Sequence, residues 1–219
     1  MEKDFWLERW QRGETGFHQD KVNPYLRQYW PTLNLAPDTL VFVPLCGKSR
    51  DMLWLREQGH AVLGVELSPL AVEAFFAENE LVPQHSRSHA FDCCEADGFR
   101  LLCGDFFDLD KTDLAGVGAV YDRASLVALP PELRRRYVER LLALLPAGTP
   151  ILLVTFDYPQ HEMAGPPFAV TPAEVDALFG NRAAVKLLAQ ESVLEQNARF
   201  RERGLSHLRE NIFLLTTRV

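Results

Sequence analysis

The sequence predicts an α/β protein, a mostly parallel sheet covered by helices on both faces. Three observations carry this. Apolar runs of strand length alternate with helical patterns along most of the chain. The stretch Leu40 to Glu66 reads as strand, glycine turn, helix, strand and terminal acid, the first half of a nucleotide-binding βαβ unit. The last two strands, about 184–192 and 208–217, have no helix between them, which predicts an antiparallel C-terminal hairpin at one edge.

The elements follow in order. Residues 4–12 and 23–30 read as two short helices, with Gly13 and Gly16 in the loop between them. Asn23-Pro24 is a good helix start, because proline at the first helical position loses no needed N–H. The first strand is 40–44, its helix 49–59 and the second strand 61–66. Ser68-Pro69 caps a helix over 69–80. Residues 89–104 read as a hairpin and a strand, and 117–122 as a strand ending in an acid. Pro130-Pro131-Glu132 opens a helix that runs to Leu145, and Pro146-Ala147-Gly148 stops it. Residues 150–156 are the clearest buried strand. Thr171-Pro172-Ala173-Glu174 has the spacing of a capping box.

The chain has 219 residues, 47% hydrophobic and 24% charged, with a net charge of −7. That size fits one α/β domain over residues 1–219, with residues 1–35 as a helical cover over the site. The acidic balance disfavours a nucleic-acid binder, which would show a basic face. No apolar run approaches the roughly 18 residues that span a bilayer. The start, Met1-Glu2-Lys3-Asp4-Phe5-Trp6, is polar and aromatic and does not read as a signal peptide, so the expected location is cytoplasmic. Cys46, Cys93, Cys94 and Cys103 form no C-x-x-C pair, and no metal site is expected. Cys46 reads as a small buried residue at a tight turn. The expected partner is a small molecule, and the absence of a coiled-coil heptad favours a monomer.

Three cofactors compete for the Leu40–Glu66 unit. A dinucleotide needs G-x-G-x-x-G, and Pro44-Leu45-Cys46-Gly47-Lys48-Ser49 carries one glycine. Gly47-Lys48-Ser49 suggests a P-loop, but the glycine required five positions earlier is Phe42. S-adenosylmethionine has no phosphate, so one glycine suffices. Glu66 follows Gly47 at close to the spacing of about 20 residues at which such an acid holds ribose hydroxyls. Asp105 or Phe106, after the third strand, meets the adenine, and Asp122-Arg123 faces the methionine end.

A seven-stranded sheet with an antiparallel C-terminal hairpin resembles the class I S-adenosylmethionine-dependent methyltransferase fold, a three-layer Rossmann-like sandwich. The motifs narrow the match further. Trp6-x-x-x-Trp10, Gly16-Phe17-His18-Gln19, Val43-Pro44-Leu45-Cys46-Gly47-Lys48, Gly64-Val65-Glu66, Tyr121-Asp122-Arg123-Ala124-Ser125-Leu126-Val127-Ala128, Gly165-Pro166-Pro167-Phe168 and Phe213-Leu214-Leu215-Thr216 are together similar to the thiopurine S-methyltransferase family, in its bacterial form. They span about residues 4 to 217.

The resemblance implies cofactor contacts at Trp10, Leu45, Glu66 and Arg123. It adds secondary contacts at Trp6, Phe17, Asp105 and Phe106. It implies S-methylation of aromatic and heterocyclic thiols, with S-adenosylhomocysteine as the by-product and Arg134 and Arg199 as substrate-positioning residues. A guanidinium stabilises a thiolate or a deprotonated ring nitrogen. Without the resemblance, Trp6 and Trp10 read as packing on one helix face, Arg123 as an ion-pair partner of Asp122 or Glu66, and the arginine runs as solvated faces, which holds for Arg135, Arg136 and Arg201. His18 reads as a hydrogen-bonded structural group rather than a base. Gly165-Pro166-Pro167-Phe168 reads as a stiff wall or lid over the substrate, or as a rigid connector. Thiopurines are synthetic, so the natural acceptor is something else; bacterial relatives are associated with methylating selenium or tellurium compounds, with which a soft, polarisable acceptor pocket is compatible. The rival readings are a same-fold enzyme for thiocyanate, halide or an amine, a cofactor-binding module without chemistry, and a nucleic-acid methyltransferase, which the acidic charge weakens.

Overall fold

The computed structural model describes residues 3–218; Met1 and Glu2 of the N-terminal stretch, and Val219, lie outside the described residues. The chain divides into two compact units, one ending at Tyr121 and one beginning at Asp122.

The first unit opens with helices α1 (Lys3–Gln11) and α2 (Pro24–Tyr29), the latter running into a short 3-10 turn at Trp30–Leu33. Asn23 caps α2 as its sequence predicts, its side chain accepting from the N–H groups of Tyr25 and Leu26. Then come β1 (Leu40–Pro44), α3 (Arg50–Glu57), β2 (Ala61–Glu66), α4 (Pro69–Glu78), β3 (Gln84–Arg87), β4 (Asp92–Ala96), β5 (Phe99–Cys103) and β6 (Val117–Asp122). Strand order in this part is β3-β4-β5-β2-β1-β6. β1 runs parallel to β2 and to β6, and β2 parallel to β5. Val41, Phe42, Val62, Val65 and Leu101 are buried in these strands. The continuous apolar runs reflect sheet faces that are both covered. α3 packs on β2, and α4 on β2 and β5, burying Met52, Leu55, Phe75 and Phe76. Each such side chain contributes about 1.5–3 kcal/mol.

The second unit holds α5 (Pro131–Leu144), β7 (Pro150–Asp157), α6 (Pro172–Phe179), β8 (Ala183–Ser192), α7 (Ala198–Glu202) and β9 (Arg209–Thr217). β9 lies between β7 and β8 and is antiparallel to both. The C-terminal antiparallel pair is as expected. A short helix, α7, nonetheless interrupts its connection. Tyr158, Met163, Val193, Phe200, Leu205 and Leu208 form a satellite core around that connection.

Nine strands occur among the described residues, two more than expected. The additional pair is the antiparallel β3–β4 hairpin alongside β5. Its outer strand, Gln84-His85-Ser86-Arg87, is exposed at every position and carries no apolar alternation for the sequence to reveal. Two caps also differ. Ser68 stands at the N-cap of α4, but its hydroxyl is buried without a partner. The capping box at α6 is half built. The Thr171 hydroxyl accepts from the Glu174 N–H at 3.3 Å, while the Glu174 carboxylate turns to Arg134. No helix among the described residues is long and apolar enough to cross a membrane.

Candidate active site

At the C-terminal ends of β1 and β2 the chain builds a cradle around one carboxylate. Glu66, 7% exposed, accepts the Gly47 N–H on Oε2 at 2.9 Å and the Ser68 N–H on Oε1 at 2.8 Å. Burial pushes its pKa above the ordinary value, and the N–H groups of Ser68, Gly47 and Leu67 oppose that rise. A carboxylate offers about four lone-pair sites, so both oxygens retain capacity toward a ligand. The preceding turn is shaped by its backbone. Leu45 has φ of +45° and Gly47 φ of +53°. The left-handed region is uncommon for a branched residue such as Leu45 and marks a turn held by its surroundings. The Cys46 N–H donates to the Val65 carbonyl at 3.0 Å, tying the turn to β2.

Glycine is required twice here. A Cβ on Gly47 would stand 3.3 Å from the Trp10 indole. One on Gly64 would meet Leu101 at 2.6 Å and the Cys46 sulfur at 2.7 Å. Cys46 is fully enclosed and burial pushes its thiol well up, so it packs as the sequence predicts. Cys103, at the end of β5, has a thiol pushed up to about 11 by burial and by Glu66.

Aromatic rings close over the turn. Phe17 meets Trp6 edge-on with centroids 5.6 Å apart and Trp10 at 5.5 Å. The i, i+4 spacing of the two tryptophans therefore serves one ring cluster, in which Trp10 touches the glycine turn. His18, next in sequence, has its pKa lowered by burial and by Lys48, which favours a neutral imidazole. Lys48 pairs with Glu78. Past β5, Asp105 caps the turn that follows, accepting the Phe107 N–H at 2.9 Å, and its other oxygen lies 2.6 Å from Lys3 Nζ. Phe106 is buried. The structure thus brings Trp6, Trp10, Phe17, Leu45, Glu66, Asp105 and Phe106 into one region of the first unit. The chemistry of this donor set fits a nucleoside-bearing cofactor: an acid for ribose hydroxyls, a close backbone turn and aromatic cover.

Three predicted residues lie in the second unit. Arg123 stands half-buried in a turn organised by Asp122. That carboxylate accepts the N–H groups of Ser125 at 3.2 Å and Leu126 at 3.3 Å, and the Tyr137 hydroxyl at 2.7 Å. Asp122 is thus the architect of the Arg123 turn. Arg199 lies in the first turn of α7 with its guanidinium 5.1 Å from the Phe200 ring centroid. Partial burial and the neighbouring Arg203 charge lower its pKa.

Arg134 departs from expectation. It is 1% exposed, paired with Glu174, and donates to the Leu129 carbonyl at 3.0 Å. The guanidinium joins α5, the Leu129 turn and α6. The Gly165–Phe168 segment is likewise anchored. The Tyr158 hydroxyl donates to the Pro167 carbonyl at 2.6 Å and the Phe168 N–H to Val127 at 2.7 Å. Its Gly165–Pro166 and Pro166–Pro167 peptides are cis. Among the described residues, His89, Asp110 and Asp113 bring potential ligand atoms within 4.8 Å of one another. Asp110 there accepts the Thr112 and Asp113 N–H groups as a loop cap.

A family model described as thiopurine S-methyltransferase matches residues 1–218. A thiopurine S-methyltransferase of Nitrosospira multiformis is 64% identical over 218 residues, covering 100% of this chain and 99% of that one. Its counterpart in Xanthomonas campestris is 53% identical over 215 residues, covering 98% and 99%. Among solved structures, a Burkholderia thailandensis 1,6-didemethyltoxoflavin-N1-methyltransferase, crystallised with S-adenosylhomocysteine, has a TM-score of 0.66 at 16% identity, covering 99% of this chain and 87% of that one. A methyltransferase of Anabaena variabilis gives 0.65 at 13%, covering 99% and 95%. The distant structures carry the fold, which is the class I methyltransferase arrangement with parallel central strands and antiparallel C-terminal ones. The close relatives carry more, and the chain belongs to the thiopurine S-methyltransferase family.

Proposed function

We propose that this chain moves a methyl group from S-adenosylmethionine to the sulfur of aromatic and heterocyclic thiols by in-line displacement. The observation that carries this is the Trp10–Gly47–Glu66 cradle, in a chain matched by the family over its whole length. The bound cofactor supplies an activated methyl on a sulfonium whose leaving group is neutral. What remains for the protein is to bind, to align and to exclude water. Glu66 accepts the ribose hydroxyls. Trp6, Trp10 and Phe17 cover the turn at Leu45, and Phe106 lies toward the adenine. Arg123, oriented by the Asp122 turn, serves the methionine end.

No dedicated base is needed, because a heteroaromatic thiol is acidic and its thiolate is a strong nucleophile. Arg199 offers positive charge toward such a thiolate. Arg134 acts by positioning, through Glu174 and Leu129. The same reading treats residues 1–219 as one methyltransferase domain, monomeric and cytoplasmic, acting on a small thiol or chalcogen acceptor without nucleic acid or membrane. The acidic balance supports the absence of nucleic acid, and the free cysteines the cytoplasmic location.

Transfer of labelled methyl from S-adenosylmethionine to 6-mercaptopurine, beside selenite and thiophenol, tests the reading. Methylated mercaptopurine is the expected product. Cofactor binding without transfer to any of the three would overturn the acceptor class and leave the cofactor assignment standing.

A further inference from the structure

Helix α1 carries Trp6 and Trp10 to the cofactor turn, yet none of its residues is fully buried. Its nine residues also fall short of the roughly 12–15 that an isolated helix needs in water. It is held by half-buried side chains that pack on α4 and on Phe17, and by a contact at each end. Toward its C-terminal end, Trp10 packs on Gly47. At its first residue, Lys3 Nζ lies 2.6 Å from Asp105 Oδ2, the two side chains being 60% and 16% exposed. Asp105 is held in turn by the Phe107 N–H on its other oxygen. It stands two residues beyond Cys103, which is in register with Glu66. The ion pair thus joins the start of α1 to the strand end beside the ribose acid.

We propose that Lys3 is a positioning residue whose ion pair with Asp105 latches α1 over the cofactor turn and makes cofactor affinity depend on salt. The proposal rests on the methyltransferase reading. It reassigns Asp105, whose carboxylate acts through Lys3 and the Phe107 amide and not on the adenine.

Titration calorimetry with S-adenosylhomocysteine, at low salt and at about 0.5 M sodium chloride where such pairs are screened, tests it on the wild type, Lys3→Ala and Lys3→Arg. An exposed pair of this kind is expected to change affinity by about two- to fivefold. Lys3→Ala should bind that much more weakly at low salt, and converge with the wild type at high salt. Lys3→Arg should restore the affinity, and kcat at saturating cofactor should hold in both variants. A merely structural role would lower the melting temperature and kcat alike at either salt. Equal affinity of Lys3→Ala and wild type at low salt, or an equal loss at both salts, overturns the latch while the methyltransferase reading stands. A wild type that does not bind the product overturns both.

Discussion

Replacing Glu66 by glutamine tests the cradle at its centre. In the wild type each carboxylate oxygen already accepts one backbone N–H, from Gly47 at 2.9 Å and from Ser68 at 2.8 Å. Each keeps lone-pair capacity for one ribose hydroxyl. An amide has a single acceptor oxygen, and its NH2 faces a backbone donor it cannot serve. One hydroxyl then loses its acceptor, a hydrogen bond to a charged group of about 1.5–3 kcal/mol, and the other falls from charge-assisted to neutral. The sum is about 2–4 kcal/mol, or thirty- to a thousandfold in affinity. Stability should change little. Burial disfavours the Glu66 charge, so the neutral side chain gains what the orphaned N–H loses. Calorimetric titration with S-adenosylhomocysteine, paired with a thermal melt, measures both. The pH profile adds a sign. Because the folded pKa is raised, protonation of Glu66 stabilises the free protein at acid pH, and that contribution is lost as pH rises through the folded pKa. The cofactor needs the carboxylate, so affinity should fall as pH drops through the same raised pKa, beginning above the ordinary 4.5. Glu66→Gln should flatten that dependence. A folded variant that binds within threefold of the wild type would refute the ribose assignment.

The neighbouring positions give sharper contrasts. Gly47→Ala forces a side chain into the left-handed region at about 1–2 kcal/mol and presses on Trp10 at 3.3 Å; a lower melting temperature and a severalfold weaker cofactor constant are expected together. Arg134→Ala breaks an enclosed ion pair, where losing one partner costs about 3–5 kcal/mol. Since Glu174 is one-third exposed the lower figure applies, and differential scanning calorimetry should show the melt fall while a double variant with Glu174→Ala recovers part of it. Arg199→Ala should raise the thiol KM by about tenfold, from the loss of a charge-assisted contact near 1.5 kcal/mol, with cofactor affinity unchanged; steady-state kinetics separates the two.

The glycine turn and its acid were legible because their signals are local. The strands Leu40–Pro44 and Ala61–Glu66 have the bounds their apolar runs predict, and the glycine turn and terminal acid sit between and after them. The spacing of 19 residues anticipates an acid near the glycine turn for a ribose, and the hydrogen bond that Gly47 donates to Glu66 across it is a contact the spacing did not foretell. Trp10 at the glycine turn was not written in the spacing, since i and i+4 serve core packing equally well. Only the resemblance favoured the site; the structure puts the ring at the turn, where a Cβ on Gly47 would stand 3.3 Å from the Trp10 indole. Asp105 shows the opposite limit. A carboxylate after a strand looks like a ligand donor, but its two oxygens are engaged by an amide and a lysine that no local pattern links to it.

Arg134 exposes a signal that the residue type concealed. Along α5 the buried positions are Arg134, Tyr137, Val138, Leu141, Leu142 and Leu144, one stripe at helical spacing. Stepping back one turn from Tyr137 and Val138 lands on position 134, whereas Arg135 and Arg136 fall on the exposed side. The phase of the helix therefore required burial at 134, and the charge there required a partner. Glu174 supplies it from 40 residues away, abandoning the reciprocal half of its own capping box to do so. Helical phase decides where a side chain points and charge decides what must meet it. Within one tract of three arginines, phase alone separates the structural residue from its two solvent-facing neighbours.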